Sequence, residues 1–419
     1  MKKLALLLLT AVLAGCATGG RKACRTDAVP PCAGPAAGKT PADAFIPAAD
    51  KAALPAFLDS DDRKTLLKAA ALNLKYFDIL SSTVPPYAFG ARKITSRDLA
   101  ASTSYFLRLL ETASGPEELD AGIKENFDIY QFAGNDSTGT VVFSSYYEPT
   151  LEAALSPSEE YKYPIYAKPD DLISVNLEEF NEKFKGEKLT GRLNKGNLIP
   201  YLTREEIDFG GALKGKGLEL AWLKDRADVM DLHIEGSGRL ALPDGREIKA
   251  KFASTNSLKF KGWLTALIES GALPREGLTH EKGKQYLLEH PEKVREILSL
   301  NKRYTFFKLA QPDDPEDGPD GTYGLPLTGW RSIAVDNSLV PMGTIAFMRA
   351  SVPELDADGV MTGKKQDSRF VFCQDTGGAI KGPGRVDFFA GNGKKARDFA
   401  FKLWDRGVLY LLVLKDSGQ

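Results

Sequence analysis

The chain has 419 residues, 43% hydrophobic and 26% charged, which is ordinary for a folded globular protein and too long for one typical domain, so two domains are the expected minimum. Its formal net charge of −1 excludes a general attraction to nucleic acid or anionic lipid, so a polymeric partner has to be held by local contacts. Four cysteines without a C-x-x-C pair, and three histidines (His233, His280, His290) without ligand spacing, argue against zinc chemistry and a Ser-His-Asp triad, and no metal or organic cofactor is expected.

Met1-Lys2-Lys3 is a short basic start, Leu4 to Leu13 an apolar run too short to span a bilayer, and Leu13-Ala14-Gly15-Cys16 places small residues before a cysteine. This is the pattern of a bacterial lipoprotein signal occupying residues 1–16. Cleavage before Cys16 would leave its thiol and amino group to carry lipid, which anchors a protein to a membrane without crossing it. The plainer alternative is an ordinary signal peptide with an incidental cysteine. Ala17, where an aspartate is absent, resembles lipoproteins sorted to the outer membrane, so its periplasmic face is the expected location. Residues 17–45, rich in Ala, Gly, Pro and Thr, cannot bury enough apolar surface to offset chain entropy and read as a flexible tether. Cys24 and Cys32 within it are close enough for a small disulfide, whereas Cys373 in an apolar run reads as a buried free thiol.

The first third of the body reads as helical. Asp61 and Asp62 precede Leu66, Ala70, Leu74 and Phe77 at helical spacing, Thr95-Ser96 starts a run carrying Leu99, Phe106 and Leu110, and a third helix opens at Ser114-Gly115-Pro116-Glu117. The β-branched and aromatic run Val141 to Glu148, ended by Pro149, predicts a strand. Residues 150 to about 250 read as largely extended, with turns at Pro169-Asp170, Lys195-Gly196-Asn197 and Pro243-Asp244-Gly245. Within them Asp231 to Glu235 lead through Gly236-Ser237-Gly238 from one apolar strand to the next. Helices are expected from Trp263 to Ser270, from Pro291, and between Lys394 and Arg406. Strands are expected at Ser332–Val335, Thr344–Arg349, Arg369–Gln374 and Val408–Leu414. The acidic loop from Asp313 to Gly318 lacks EF-hand spacing and reads as a solvated connection.

Two aspartates, Asp375 and Asp387, bracket a loop containing Gly377, Gly378, Gly382 and Gly384. The glycines permit tight turns and close approach of a ligand, and the acids bring proton chemistry. Phe388 and Phe389 beside Asp387 would raise its pKa towards that of a general acid, whereas the bland alternative is an aspartate capping its own loop. Arg385 shares a strand face with Asp387 and would pull that pKa down. Asp375-Thr376-Gly377 also matches the aspartic protease triplet, but those enzymes need two such carboxylates sharing a proton, and the chain has one copy, followed by Gly378.

The runs Ala334 to Thr344 (with Asp336), Gln374 to Gly382 and Arg385 to Gly391 resemble the three-aspartate (3D) module of the membrane-bound lytic murein transglycosylase A family. Five further motifs resemble that family in order: Phe143 to Pro149, Tyr163 to Tyr166, Pro200 to Ile207, Gly236 to Gly238 and Tyr304 to Phe307. The resemblance covers about residues 140–415 and implies an α+β, mainly β fold: a double-psi β-barrel with an inserted second β-domain and N-terminal helices. It places the barrel at 46–148 and 309–419, the 3D module at about 330–415, and a glycan-binding insert at 149–308. It implies cleavage of the β-1,4 bond between N-acetylmuramic acid and N-acetylglucosamine in peptidoglycan, leaving 1,6-anhydromuramic ends, with Asp387 as the single catalytic acid and base. Asp336 and Asp375 would be supporting carboxylates. Ser144, Tyr146, Tyr147, Glu148, Glu235, Gly236, Ser237, Gly238, Gly377, Gly378 and Lys381 would meet the sugar. A second carboxylate is not required, because the sugar's own C6 hydroxyl replaces the water or nucleophile of an ordinary glycosidase. The resemblance further implies a monomer acting on glycan strands, with murein synthase or scaffold proteins as partners. The chain departs from the family at Ser145, where glycine is common, and at Glu235, where glutamine is usual. Glu235 keeps the acceptor, loses the amide donor, and is open to acting as a second acid. A non-catalytic peptidoglycan-binding lipoprotein on the same barrel is the alternative function.

Overall fold

The computed structural model of the chain describes residues 44–47, 54–79, 86–89, 92–184, 187–276, 278–311, 317–322 and 324–416. The signal segment with Cys16, the Cys24–Cys32 pair, most of the expected tether and residues 312–316 of the acidic loop lie outside the described residues. Phe45, the last residue of that tether, is instead a core residue, 5% exposed, in strand β1 (Phe45–Pro47).

Three helices precede the barrel, with a small hairpin, β2 (Tyr87–Phe89) and β3 (Arg92–Ile94), between the first two. Helix α1 (Arg63–Ile79) starts where Asp62 Oδ1 accepts from Thr65 N at 2.9 Å. Helix α2 (Ser96–Thr112) opens on a reciprocal Thr95/Asp98 capping box, and α3 (Pro116–Asn126) has its proline in the first turn. Leu66, Phe106, Leu110 and Ile123 from these helices form one cluster with Phe347, Phe370, Phe372 and Leu412.

Those last four belong to a closed barrel. Strands β5 (Val141–Glu148), β15 (Ser332–Ala334), β16 (Ile345–Leu355), β17 (Met361–Asp375), β18 (Arg385–Asn392) and β19 (Trp404–Leu414) pair in the ring order β5-β18-β15-β17-β16-β19, and β19 returns to β5. Strand β4 (Phe127–Phe132) extends the sheet from β19 and carries β1. The β15–β17 and β18–β5 pairs are parallel, the others in the ring antiparallel. Alternate side chains part to opposite faces, as the pleat requires: Phe370 and Phe372 join the helices, while Val371 and Cys373 join a second cluster with residues of all six ring strands. Cys373 is a fully buried free thiol, as expected.

Two residues beyond the end of β5, Thr150 begins another sheet. It comprises β6 (Thr150–Ala154), β7 (Tyr163–Tyr166), β11 (Glu219–Leu223), β12 (Gly238–Ala241), β13 (Glu247–Thr255) and β14 (Thr305–Ala310) in the order β14-β13-β12-β6-β11-β7. A small sheet of β8 (Ile173–Asn176), β9 (Lys188–Asn194) and β10 (Asn197–Pro200) accompanies it. Helices α5 (Trp263–Glu269), α6 (His280–Glu289) and α7 (Pro291–Leu298) pack together, α6 being unforeseen although Thr279 caps it.

Two expectations are corrected. Asp231 to Glu235 do not continue a strand; they end helix α4 (Arg226–Glu235), which Asp225 caps through the Asp228 N–H at 2.8 Å and Gly236 stops at φ 78°. Only glycine takes that left-handed turn cheaply. The helix expected from Lys394 to Arg406 is the shorter α8 (Gly393–Ala400), because Trp404 to Gly407 pair with β5 and close the barrel.

Candidate active site

The central strand of the site is β15, where Ala334 is in register with Asp375 of β17 on one side and Asp387 of β18 on the other. Two strand spacings therefore separate the two acids, about 10 Å between their backbones across the sheet. Asp387 is in turn in register with Ser144 of β5, and the Ser144 hydroxyl donates to Asp387 Oδ1 at 2.7 Å. Arg385 Nε and Nη2 both donate to the same Ser144 oxygen at 3.3 Å, and the guanidinium lies over the Trp404 ring at 5.1 Å. The shared face expected of Arg385 and Asp387 thus exists, but the arginine reaches the acid through Ser144. The Asp387 carboxyl is densely surrounded, and burial pushes it up to about 6 against the Ser144 bond and the Arg385 charge, which pull it down.

Tyr146 spans the site. Its ring lies 5.2 Å from that of Phe389, and its hydroxyl donates to Asp375 Oδ2 at 2.8 Å. Burial, then the charges of Asp375, Asp387 and Glu235, hold that phenol far above its ordinary pKa. Asp375 is raised by burial, although the bonds from Tyr146 and Thr322 oppose the shift. Glu235 stands at the end of α4, accepts from Tyr147 N at 3.4 Å, and is pushed well up by burial and then by the charges of Asp231 and Asp387.

Asp336 is different. Burial alone would raise it, yet the N–H of Gly382 at 2.8 Å and the hydroxyl and N–H of Ser338 at 2.7 and 3.1 Å hold it below the usual range. It ties the glycine-rich loop to the turn after β15, and exposed Lys381 adds a favourable charge. In that loop a Cβ on Gly377 would lie 2.6 Å from Ile380 Cγ1, and one on Gly378 3.3 Å from Arg303 Nη1.

Three residues expected to meet a ligand are placed elsewhere. Tyr147, next to Tyr146 on a pleated strand, points to the other face, is 5% exposed, and meets Phe401 edge-on at 5.7 Å. It lines a separate cleft of about 630 Å³ with Asp225, Asp231, His280 and Arg397. Glu148 is 1% exposed and ion-paired with Arg239 Nε at 2.8 Å; Arg239 also bonds the Asp317 carbonyl at 2.7 Å, so this pair joins the chain leaving the barrel to the chain returning to it. Gly238 is buried where a Cβ would lie 2.6 Å from Leu232 Cδ1, so its role is packing. Gly236 and Ser237 remain partly exposed, with Ser237 Oγ accepting from Phe252 N at 3.2 Å. Sequence reasoning missed Thr322, which donates to Asp375 Oδ1 at 3.2 Å, and Arg303; neither stands in a motif that would have marked it.

Three carboxyls of the site are raised, Asp387 with a single hydroxyl donor, Asp375 with donors from Tyr146 and Thr322 and Glu235 with one backbone donor, while Asp336 is lowered. Among the described residues no group of three or more His, Cys, Asp or Glu could hold a metal ion, and no helix is long and apolar enough to cross a membrane.

Residues 142–308 match the MltA specific insert domain and residues 331–413 the 3D domain. The chain is 32% identical over 289 residues to a protein of Vibrio cholerae serotype O1 named membrane-bound lytic murein transglycosylase A, which covers 68% of this chain and 69% of that one. Among solved structures, MltA from Neisseria gonorrhoeae aligns with a TM-score of 0.69 at 26% identity, covering 89% of this chain and 93% of that chain. A membrane-bound lytic murein transglycosylase from Agrobacterium tumefaciens aligns with a TM-score of 0.66 at 28% identity, covering 84% and 93% respectively.

Proposed function

The chain belongs to the membrane-bound lytic murein transglycosylase A family, and from that premise we propose that it is a peptidoglycan lyase in which Asp387 alone carries the proton. Protonated Asp387 gives its proton to the glycosidic oxygen as the bond from muramic acid C1 to that oxygen breaks. The C6 hydroxyl of the same muramic acid attacks C1, and the Asp387 carboxylate takes the hydroxyl proton, so an anhydro end forms and no water is consumed. The observation that carries this reading is the Asp387 carboxyl raised to about 6, with Arg385 held off at Ser144. A general acid needs a pKa near the working pH, and the upward shift of Asp387 supports that role.

In this reading Tyr146 offers a ring face and positions Asp375, while Asp336 holds the glycine-rich loop in shape. Glu235, whose carboxyl is pushed up by burial and by the charges of Asp231 and Asp387, serves as a sugar contact and not as a second proton carrier. Residues 149–308 form the wall facing the barrel rim, and glycan lies between them. A lipid on Cys16 would hold the protein at the periplasmic face of the outer membrane, in keeping with the membrane-bound description of its relative.

The test is to incubate the purified protein with murein sacculi and identify the products by mass. Anhydromuropeptides are expected. Reducing muramic ends would point to a hydrolase, and glycan binding without release would favour the non-catalytic binder.

A further inference from the structure

Arg303 lies between α7 and β14 with its backbone fixed at both ends: its N–H donates to Asn301 Oδ1 at 3.2 Å, and its carbonyl accepts from Arg204 Nη2 at 2.8 Å. Its guanidinium rests on the bare backbone of Gly378, close enough that a Cβ there would lie 3.3 Å from Nη1 and 3.9 Å from Nη2. The side chain is half-buried, and Nε is buried without a partner.

Three guanidinium groups buried more deeply are compensated. Arg239 bonds Glu148 and Glu247, Arg331 bonds Asp59, and Arg369 bonds Asp367, all within 3.0 Å. No described residue gives Arg303 a hydrogen bond or ion pair through its side chain, and burial depresses its pKa without an offsetting carboxylate. An arginine in such a place remains charged, and a half-buried charge without a partner is costly. Its fork of donors fits a carboxylate better than any other common group. It sits against Gly378 of the glycine-rich loop, and Gly378 is three positions along the chain from Asp375.

We propose that Arg303 is a substrate-recognition residue that takes a carboxylate carried on the C3 substituent of muramic acid. The inference rests on the reading of function above, and it adds a substrate class. The glycan backbone itself is neutral, so its carboxylates come either from free lactyl groups or from peptides attached to them. Gly378 leaves room for the guanidinium to reach over the loop.

Binding separates these sources when measured by calorimetry on full-length Asp387→Asn protein, which lacks the proton carrier. The probes are chitohexaose, which is neutral, peptide-free murein glycan with free lactyl carboxylates, and peptide-bearing glycan of equal length. A carboxylated glycan is expected to bind about tenfold more tightly than chitohexaose. Preference for the peptide-free glycan assigns the lactyl carboxylate, and preference for the peptide-bearing glycan alone assigns the peptide. Adding Arg303→Met should remove the preference, and Arg303→Lys should keep part of it. In the active enzyme Arg303→Met should raise KM about tenfold on the preferred glycan with kcat little changed. Equal weakening on all three probes, or a preference that survives Arg303→Met, overturns the inference while leaving the lyase reading intact. Failure of every form to bind or cleave glycan would overturn both.

Discussion

Asp336 and Asp387 stand at the same end of one barrel, joined through β15, and their chemistry has gone in opposite directions. Asp336 is only 6% exposed, yet three donors, two of them backbone N–H groups, hold it ionised. Asp387 keeps more contact with solvent but receives a single hydroxyl bond and is pushed up to about 6. Fractional exposure alone therefore does not sort these two acids; at Asp336 the donors together outweigh burial, and at Asp387 burial outweighs one hydroxyl bond. A carboxylate wrapped in backbone donors is a fastener for a loop, and one left with a single weak donor can exchange its proton.

The largest effect expected from this contrast is on turnover. Asp387→Asn should lower anhydromuropeptide release from sacculi by about 10²–10⁴-fold while glycan binding persists. Full activity in that variant would break the comparison outright, because the proposed reaction leaves the proton to Asp387 alone.

Asp336→Ala should act on stability instead. It strands the Gly382 and Ser338 donors and should cost about 2–3 kcal/mol in urea unfolding at pH 7. Because its folded pKa is lowered, the stabilisation is present above the ordinary aspartate value of about 4 and is lost as pH falls through the folded value. The gap between wild type and Asp336→Ala should thus narrow in acid. A gap that stays constant down to pH 2 would show that the carboxylate charge contributes nothing.

How much of this could be read from the chain varies element by element. The Thr95-Ser96 start signal marked α2, and the apolar runs Thr344 to Arg349 and Arg369 to Gln374 marked barrel strands, because each is a local signal. Helix α4 was illegible as a helix: Ala227, Val229, Met230, Asp231, Leu232 and His233 are all buried, so it lacks the polar face that gives a helical period. Asp387 was legible through its aromatic neighbours and the resemblance. Assigning both Tyr146 and Tyr147 to the ligand ignored the pleat, which sends adjacent residues to opposite faces. The Glu148–Arg239 pair bridges 91 positions, and Arg303 meets Gly378 across 75; pairings of that kind are made by the fold and leave no mark in a local window.

Two smaller changes probe Asp387 itself. In the proposed reaction the protonated acid acts first, so kcat/KM should decline as pH rises through about 6. Ser144 stabilises the ionised form, so Ser144→Ala should move that decline to higher pH, with a few-fold loss of rate from poorer orientation. An unmoved profile would mean that Ser144 does not reach the carboxylate in the working enzyme.

Arg385→Met should move the decline the same way but less far, because its charge ranks below the Ser144 bond among the influences that lower Asp387. The arginine has two routes to the acid. One is its charge through space; the other is the pair of bonds that orient the Ser144 oxygen so that its proton faces Asp387. Arg385→Lys divides them, since an ammonium keeps the charge and loses the two-pronged hold. If Arg385→Lys behaves as wild type and Arg385→Met does not, the charge alone is at work. If both variants shift the profile as Ser144→Ala does, orientation of the hydroxyl is the dominant route. A shift towards acid in Arg385→Met would contradict both, because removing a cation cannot stabilise a neighbouring carboxylate through space.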